Sequence, residues 1–141
     1  MPAVGPLKLK AQLLCATELA MGPGKADLLE AIDREGSISG AGRALEMSYR
    51  RTWLLVDTMN RCWAQPLVET VPGGGQGKGA RLTACGRKVL CAYRGLEARL
   101  VEAASGAPME TLTGLLLDQP RAAQARDAVT GTAPAGKTAD L

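Results

Sequence analysis

The 141-residue sequence predicts a mainly α-helical chain with one small β hairpin. Three observations predict it. The apolar residues, 46% of the chain, are aliphatic: phenylalanine is absent, and two Trp and two Tyr are the only aromatics. Such a composition suits helix packing better than sheet. Apolar positions recur at three- and four-residue spacing over 22–36, 48–63 and 84–104. Between the last two, "LVETV" (67–71) and "ARLT" (80–83) read as short strands joined by a glycine-rich stretch.

The elements follow in order. In "LKLKAQLL" (7–14), Leu7, Leu9 and Ala11 alternate with Lys8 and Lys10, the pattern of one strand with a solvated face. "GPGKADLLEAIDREG" (22–36) is a helix with Pro23 in its first turn, Leu28, Leu29 and Ile32 as its apolar stripe, and Gly36 as its stop. "SISGAGRAL" (37–45) is a short second helix, with Ser37 or Ser39 as N-cap and Ile38, Ala41 and Leu45 on one face. "SYRRTWLLVDTMNRCW" (48–63) is a third, capped by Ser48, with Trp53, Val56, Met59, Asn60 and Trp63 toward the core. Thr83 caps a long last helix over 84–104, longer than a domain of this size needs, so its far end is placed to meet another chain. "METLTGLLLDQ" (109–119) reads as one more short helix, and the Ala-, Thr-, Gly- and Pro-rich remainder as a flexible tail.

Several function classes drop out on composition. There is no histidine, which removes the commonest general base and the commonest metal ligand. No Cys, Lys or carboxylate pairing suggests catalysis, and the chain reads as a non-enzyme. Cys15, Cys62, Cys85 and Cys91 show no C-x-x-C spacing. They read as reduced, mostly buried thiols, with no metal and no cofactor expected. No apolar run suits a signal peptide or reaches the roughly 18 residues of a membrane span, so a cytoplasmic location is the expectation.

The net charge of +3 is unevenly spread. Residues 47–99 hold nine basic side chains against three acidic ones, while both flanks are slightly acidic. A basic middle suggests a polyanion met by one face. "PGGGQGKGARLT" (72–83) tests which polyanion. A nucleotide-binding loop fails, because Pro72 stands where its first glycine belongs, Gly79 where its Ser/Thr belongs, and a strand follows instead of a helix. A hairpin loop remains. Placed directly after two helices joined by a short turn, it makes a winged helix-turn-helix. In that arrangement residues 48–63 are the recognition helix, entering the major groove of DNA. Ser48, Tyr49, Arg50 and Arg51 form its polar first turn, suited to base edges and phosphates. Residues 73–79 are the wing, with Lys78 and Arg81 on phosphates. Ala41 is the small residue where the two helices cross. Arg87 and Lys88 suit phosphate contact and plain solvation equally well.

"GSISGAGRALEMSYRRTWLLVDTMN" with "PLVETVPGGGQGKGARLTACGRKVL" resembles the N-terminal domain of ModE-type molybdate-responsive transcription regulators. The resemblance covers roughly residues 20–100; the helix-turn-helix alone is also similar to LysR-type regulators. It implies a DNA-binding domain over 21–105 that dimerises through the N-terminal strand region (1–20) and the long last helix. It further implies a palindromic double-stranded operator and a role as repressor of molybdate-transport genes. Regulators of this family continue into molybdate-binding β domains. Residues 106–141 are too short of strands to form them, so a stand-alone member without that sensor is the expectation. A winged-helix regulator with another effector, or a winged-helix protein–protein module, are the alternatives.

Overall fold

The computed structural model describes residues 1–72 and 79–123. Two hairpins, where one strand was expected, open the chain. β1 (Ala3–Val4) pairs with β2 (Leu7–Lys8), and β3 (Leu13–Cys15) pairs with β4 (Glu18–Met21), both antiparallel. The predicted alternation holds, with Leu7, Leu9 and Ala11 half-buried and Lys8 and Lys10 exposed. The second hairpin left no signal because its turn places Ala16 at φ 55°, a left-handed conformation without the usual glycine.

Helix α1 (Pro23–Glu35) follows, and Gly36 ends it at φ 77°, its N–H donating to the Ile32 carbonyl. Helix α2 (Ile38–Ala44) is capped by Ser37, whose Oγ accepts from the Gly40 N–H at 2.9 Å. Helix α3 (Tyr49–Cys62) is capped by Ser48 in the same way, through Arg51 N–H at 3.1 Å. Strands β5 (Val68–Val71) and β6 (Gly79–Leu82) pair antiparallel, Val68 opposite Leu82 and Val71 opposite Gly79. Thr83 caps α4 (Ala84–Ala104), and α5 (Ala107–Leu115) comes last. Helix–turn–helix followed by a two-stranded hairpin and a long helix is the winged helix-turn-helix predicted.

The core is mainly aliphatic and draws on β4, α1, α2, α3 and the β5–β6 hairpin, with Tyr93 of α4 against it: Met21, Leu28, Leu29, Ile32, Ile38, Val56, Met59, Leu67, Val68 and Leu82 are buried. Polar side chains lock the periphery. Asn60 Oδ1 accepts from the Leu67 and Val68 N–H groups at 2.9 and 3.0 Å, and its Nδ2 donates to the Val68 carbonyl, so α3 holds the base of β5. The Ala80 N–H donates to the Gly36 carbonyl at 2.9 Å, tying β6 to the α1–α2 turn. Arg94 on α4 donates to Asp27 and Glu30 on α1 and to Glu97 on its own helix, at 2.7–3.0 Å.

Two expectations are corrected. Trp53 is at the surface; the buried position is Thr52, because the inward stripe of α3 runs Thr52–Val56–Met59. Ala41 is fully buried, and Gly42 beside it marks a close approach of α2 and α3: a Cβ at 42 would collide with the Thr52 side chain. None of the four cysteines is buried: Cys15 and Cys91 are exposed, and Cys62 and Cys85 are intermediate. Partial burial, and then the hydrogen-bonding thiol of Cys15, raise the Cys62 pKa above its ordinary value.

Candidate nucleic-acid interface

Ser48 takes the extended conformation of an N-cap and starts α3 at Tyr49, so the next residues leave on successive faces of one helix. Thr52 Oγ donates to the Ser48 carbonyl at 2.8 Å and lies under Gly42, which fixes the angle at which α3 leaves the domain. Four faces result. The inward face carries Thr52, Val56 and Met59. The outward stripe carries Arg50, Leu54, Asp57 and Arg61, all exposed. Arg61 is held by Asp57 at 2.9 Å, which leaves Arg50 as the cation of that stripe without an ion pair among the described residues.

Tyr49 and Trp53 form a third face. Tyr49 is 68% exposed and Trp53 38%, their rings 6.1 Å apart and tilted by 56°. With Ile38, Ser39, Thr70 and Ala80 they line a cleft of about 230 Å³ between α2, α3 and the β5–β6 hairpin. On the opposite flank Arg51 and Leu55 line a separate cleft at the start of α1. The twin arginines, adjacent in sequence, therefore serve different surfaces.

Of the hairpin cations, Arg81 is exposed on β6 and donates to Glu69 on β5 at 2.8 Å. The partner carboxylate offsets part of its charge. Lys78 and the other predicted wing residues 73–77 lie outside the described residues. Arg87 pairs with Asp33 at 3.1 Å, while Lys88 is exposed. Sequence reasoning put Trp53 in the core and so missed its place in the cleft beside Tyr49. The signal for Trp53 was present: it stands four residues after Tyr49, on the same helix face.

Among the described residues no group of three or more His, Cys, Asp or Glu is placed to hold a metal ion. No helix among those residues is long and apolar enough to cross a membrane.

No family model matches the chain. Curated relatives do. It is 50% identical over 70 residues to the molybdenum transport protein ModE of Azotobacter vinelandii, covering 50% of this chain and 26% of that protein. It is 41% identical over 108 residues to the molybdenum-pterin-binding protein MopB of Rhodobacter capsulatus, covering 72% and 40%. It is 35% identical over 71 residues to the DNA-binding transcriptional dual regulator ModE of Escherichia coli K12, covering 50% and 27%. The chain thus spans well under half the length of these relatives. Among solved structures, the full-length LTTR LysG of Corynebacterium glutamicum aligns with TM-score 0.45 and 26% identity, covering 67% of this chain and 29% of that one. With its helix-turn-helix, hairpin and long helix in that order, the chain carries a ModE-like N-terminal winged-helix domain.

Proposed function

We propose that this chain is a sequence-specific DNA-binding transcription regulator that acts as a homodimer and represses genes of molybdenum transport. One observation carries the DNA reading. The outward stripe of α3 starts with Arg50, which has no ion pair among the described residues, on a serine-capped first turn flanked by the β5–β6 hairpin. Cations at a helix start oppose the helix dipole, so Arg50 and Arg51 are unfavourably placed until a polyanion approaches. In this reading α3 lies in the major groove, Arg50 pairs with guanine O6 and N7, and exposed Leu54 meets a thymine methyl group. Tyr49 and Trp53 meet the sugar–phosphate backbone that runs between groove and hairpin. Arg81 and Lys78 neutralise phosphates beside the wing. The relatives named for molybdenum transport support that class of target genes.

The homodimer reading rests on apolar surface. Leu13, Met21, Trp63, Val89 and Leu96 line an apolar groove of about 340 Å³ between the β3–β4 hairpin and α4. Leu100 continues it along α4, and Leu112, Leu115 and Leu116 are exposed on and just after α5. A second copy covering this surface places two α3 helices one DNA turn apart, about 34 Å.

The test is binding of the purified chain to the upstream region of its own operon, followed by fluorescence anisotropy between 50 and 200 mM salt, a range over which a protein making several phosphate contacts loses about 10³-fold or more in affinity. Arg50→Ala is expected to relax specificity at one base pair, by about 1–3 kcal/mol. Lys78→Ala is expected to weaken all sequences about equally. A wild-type chain that forms no salt-sensitive complex overturns the reading.

A further inference from the structure

The cleft on the far flank of α3 holds a group that the DNA reading does not use. Lys25, in the first turn of α1, is only 7% exposed and lines a cleft of about 400 Å³ with Lys10, Gln12 and Arg51. It makes no hydrogen bond or ion pair among the described residues. Its nitrogen keeps some access to solvent, so a partner from solution can reach an enclosed ammonium of the kind that proteins normally pair or neutralise. Here the nearest arrangement is the reverse: a second cation, Arg51, lines the same cleft. Burial foremost, with Arg51 adding to it and Cys62 and Glu18 opposing, lowers the Lys25 pKa from its ordinary value. Asp27, the acidic residue of the lining, is held by Arg94 at 2.7 Å.

The backbone points the same way. Gly22, the N-cap of α1, has no side chain to accept from the first turn, Pro23 has no N–H, and no acidic residue stands in that turn. The N–H groups of Gly24 and Lys25 are left for a ligand, at the positive end of a 13-residue helix. Gly24 adjoins open space: nothing stands within 4 Å of where its Cβ would be. Cations, free amides and a helix start lining one concave site match a tetrahedral oxyanion.

We propose that this cleft binds a phosphate group, held by the Lys25 ammonium, the Arg51 guanidinium and the first-turn amides of α1. Two sources share that chemistry: free inorganic phosphate, and a phosphate of the duplex beside the recognition helix. In either case Arg51 joins the site to the first turn of α3, so an occupant acts directly on the end of the helix that faces DNA.

Two measurements separate the sources. Inorganic phosphate is titrated into the full chain at constant ionic strength, with chloride as control, while the amide resonances of Gly24 and Lys25 are followed. Free-phosphate binding moves both saturably, and Lys25→Met and Arg51→Gln each weaken it about tenfold or more. The second measurement is the salt dependence of DNA binding. If the duplex supplies the phosphate, Lys25→Met lowers the slope of log K against log salt by about 0.9. Lys8→Met, an exposed cation outside the cleft, leaves both measurements unchanged. Arg51→Gln, at an exposed position, keeps the test decisive if Lys25→Met folds poorly. No saturable amide shift together with an unchanged slope overturns the proposal. A wild type that binds no DNA sinks the DNA reading instead, and the phosphate titration then decides alone.

Discussion

An alanine at position 42 drives its Cβ into the Thr52 side chain, and one at position 86 drives it into the Leu67 carbonyl. Gly95, in the same helix as Gly86, meets nothing within 4 Å. Gly42→Ala and Gly86→Ala are therefore expected to cost about 1–3 kcal/mol each through overpacking. Gly95→Ala is expected to add up to about 1 kcal/mol of stability from helix propensity. Urea denaturation measures all three, and a Gly86→Ala chain as stable as the parent refutes the close approach. Tyr93 offers a pH test. Burial, and then the charge of Glu97, push its phenol up to about 12, and its hydroxyl donates to the Ala11 carbonyl at 2.8 Å. The unfolded phenol titrates near about pH 10. Between those values the folded state keeps a proton that the unfolded state has lost, so stability is full below about pH 10 and falls as pH rises toward about 12. Subtracting the near-ultraviolet titration of Tyr93→Phe from that of the parent isolates this phenol. A midpoint near its ordinary value shows that it is not buried. At this scale the caps were legible, since Ser48 and Thr83 offer local oxygen acceptors to backbone N–H groups three residues on. The arginine bonds between α1 and α4 were not legible, because Arg94 and Glu30 stand 64 residues apart in sequence.

Helices were legible as elements, but the orientation of α3 was not. A stripe through Trp53 and one through Thr52 both satisfy three- and four-residue spacing, and size favours the tryptophan. Tertiary contact chose Thr52, because only a small side chain fits beneath Gly42. The two tryptophans should therefore respond differently. Trp63 is half-buried, and its indole N–H donates to the Ala20 carbonyl at 3.1 Å, so Trp63→Ala is expected to cost about 3 kcal/mol. Trp53→Ala is expected to cost less than about 1 kcal/mol of stability and to weaken DNA binding. Equal losses of stability would contradict the assignment of faces. Arg94 tests the joint between α1 and α4. Removing one partner of a buried ion pair costs about 3–5 kcal/mol. Arg94 is 29% exposed, which lowers the expectation for Arg94→Met to about 2 kcal/mol. The loss should come chiefly from Glu97, left buried with Oε2 already unpartnered.

Across the whole molecule, polar and apolar surfaces are sorted. Tyr49 and Arg50 stand on exposed faces of α3, while the exposed leucines other than Leu54 collect along β3, α4 and α5. Such leucines are expected at a protein interface. Leu96→Glu combined with Leu100→Glu should turn a dimer into a monomer by analytical ultracentrifugation. DNA affinity should fall with it, because one half-site must then bind alone. A double variant that stays dimeric moves the interface elsewhere. The length of the last helix hinted at this surface, and its leucine spacing was readable. The groove shared with the β3–β4 hairpin was not, since that hairpin carried no turn signal.

What the sequence determined alone was largely governed by neighbours along the chain: helix starts and stops, the serine and threonine caps, the β5–β6 pair, the basic middle and the order helix–turn–helix–hairpin–helix. Those features depend on interactions spanning a few residues, so composition and spacing report them. The tertiary structure decided which face of α3 is buried, which surface each of two adjacent arginines joins, and how the Lys25 side chain came to be enclosed without a protein partner. These are outcomes of packing between segments far apart in sequence, where one methyl group at Gly42 is enough to change the result.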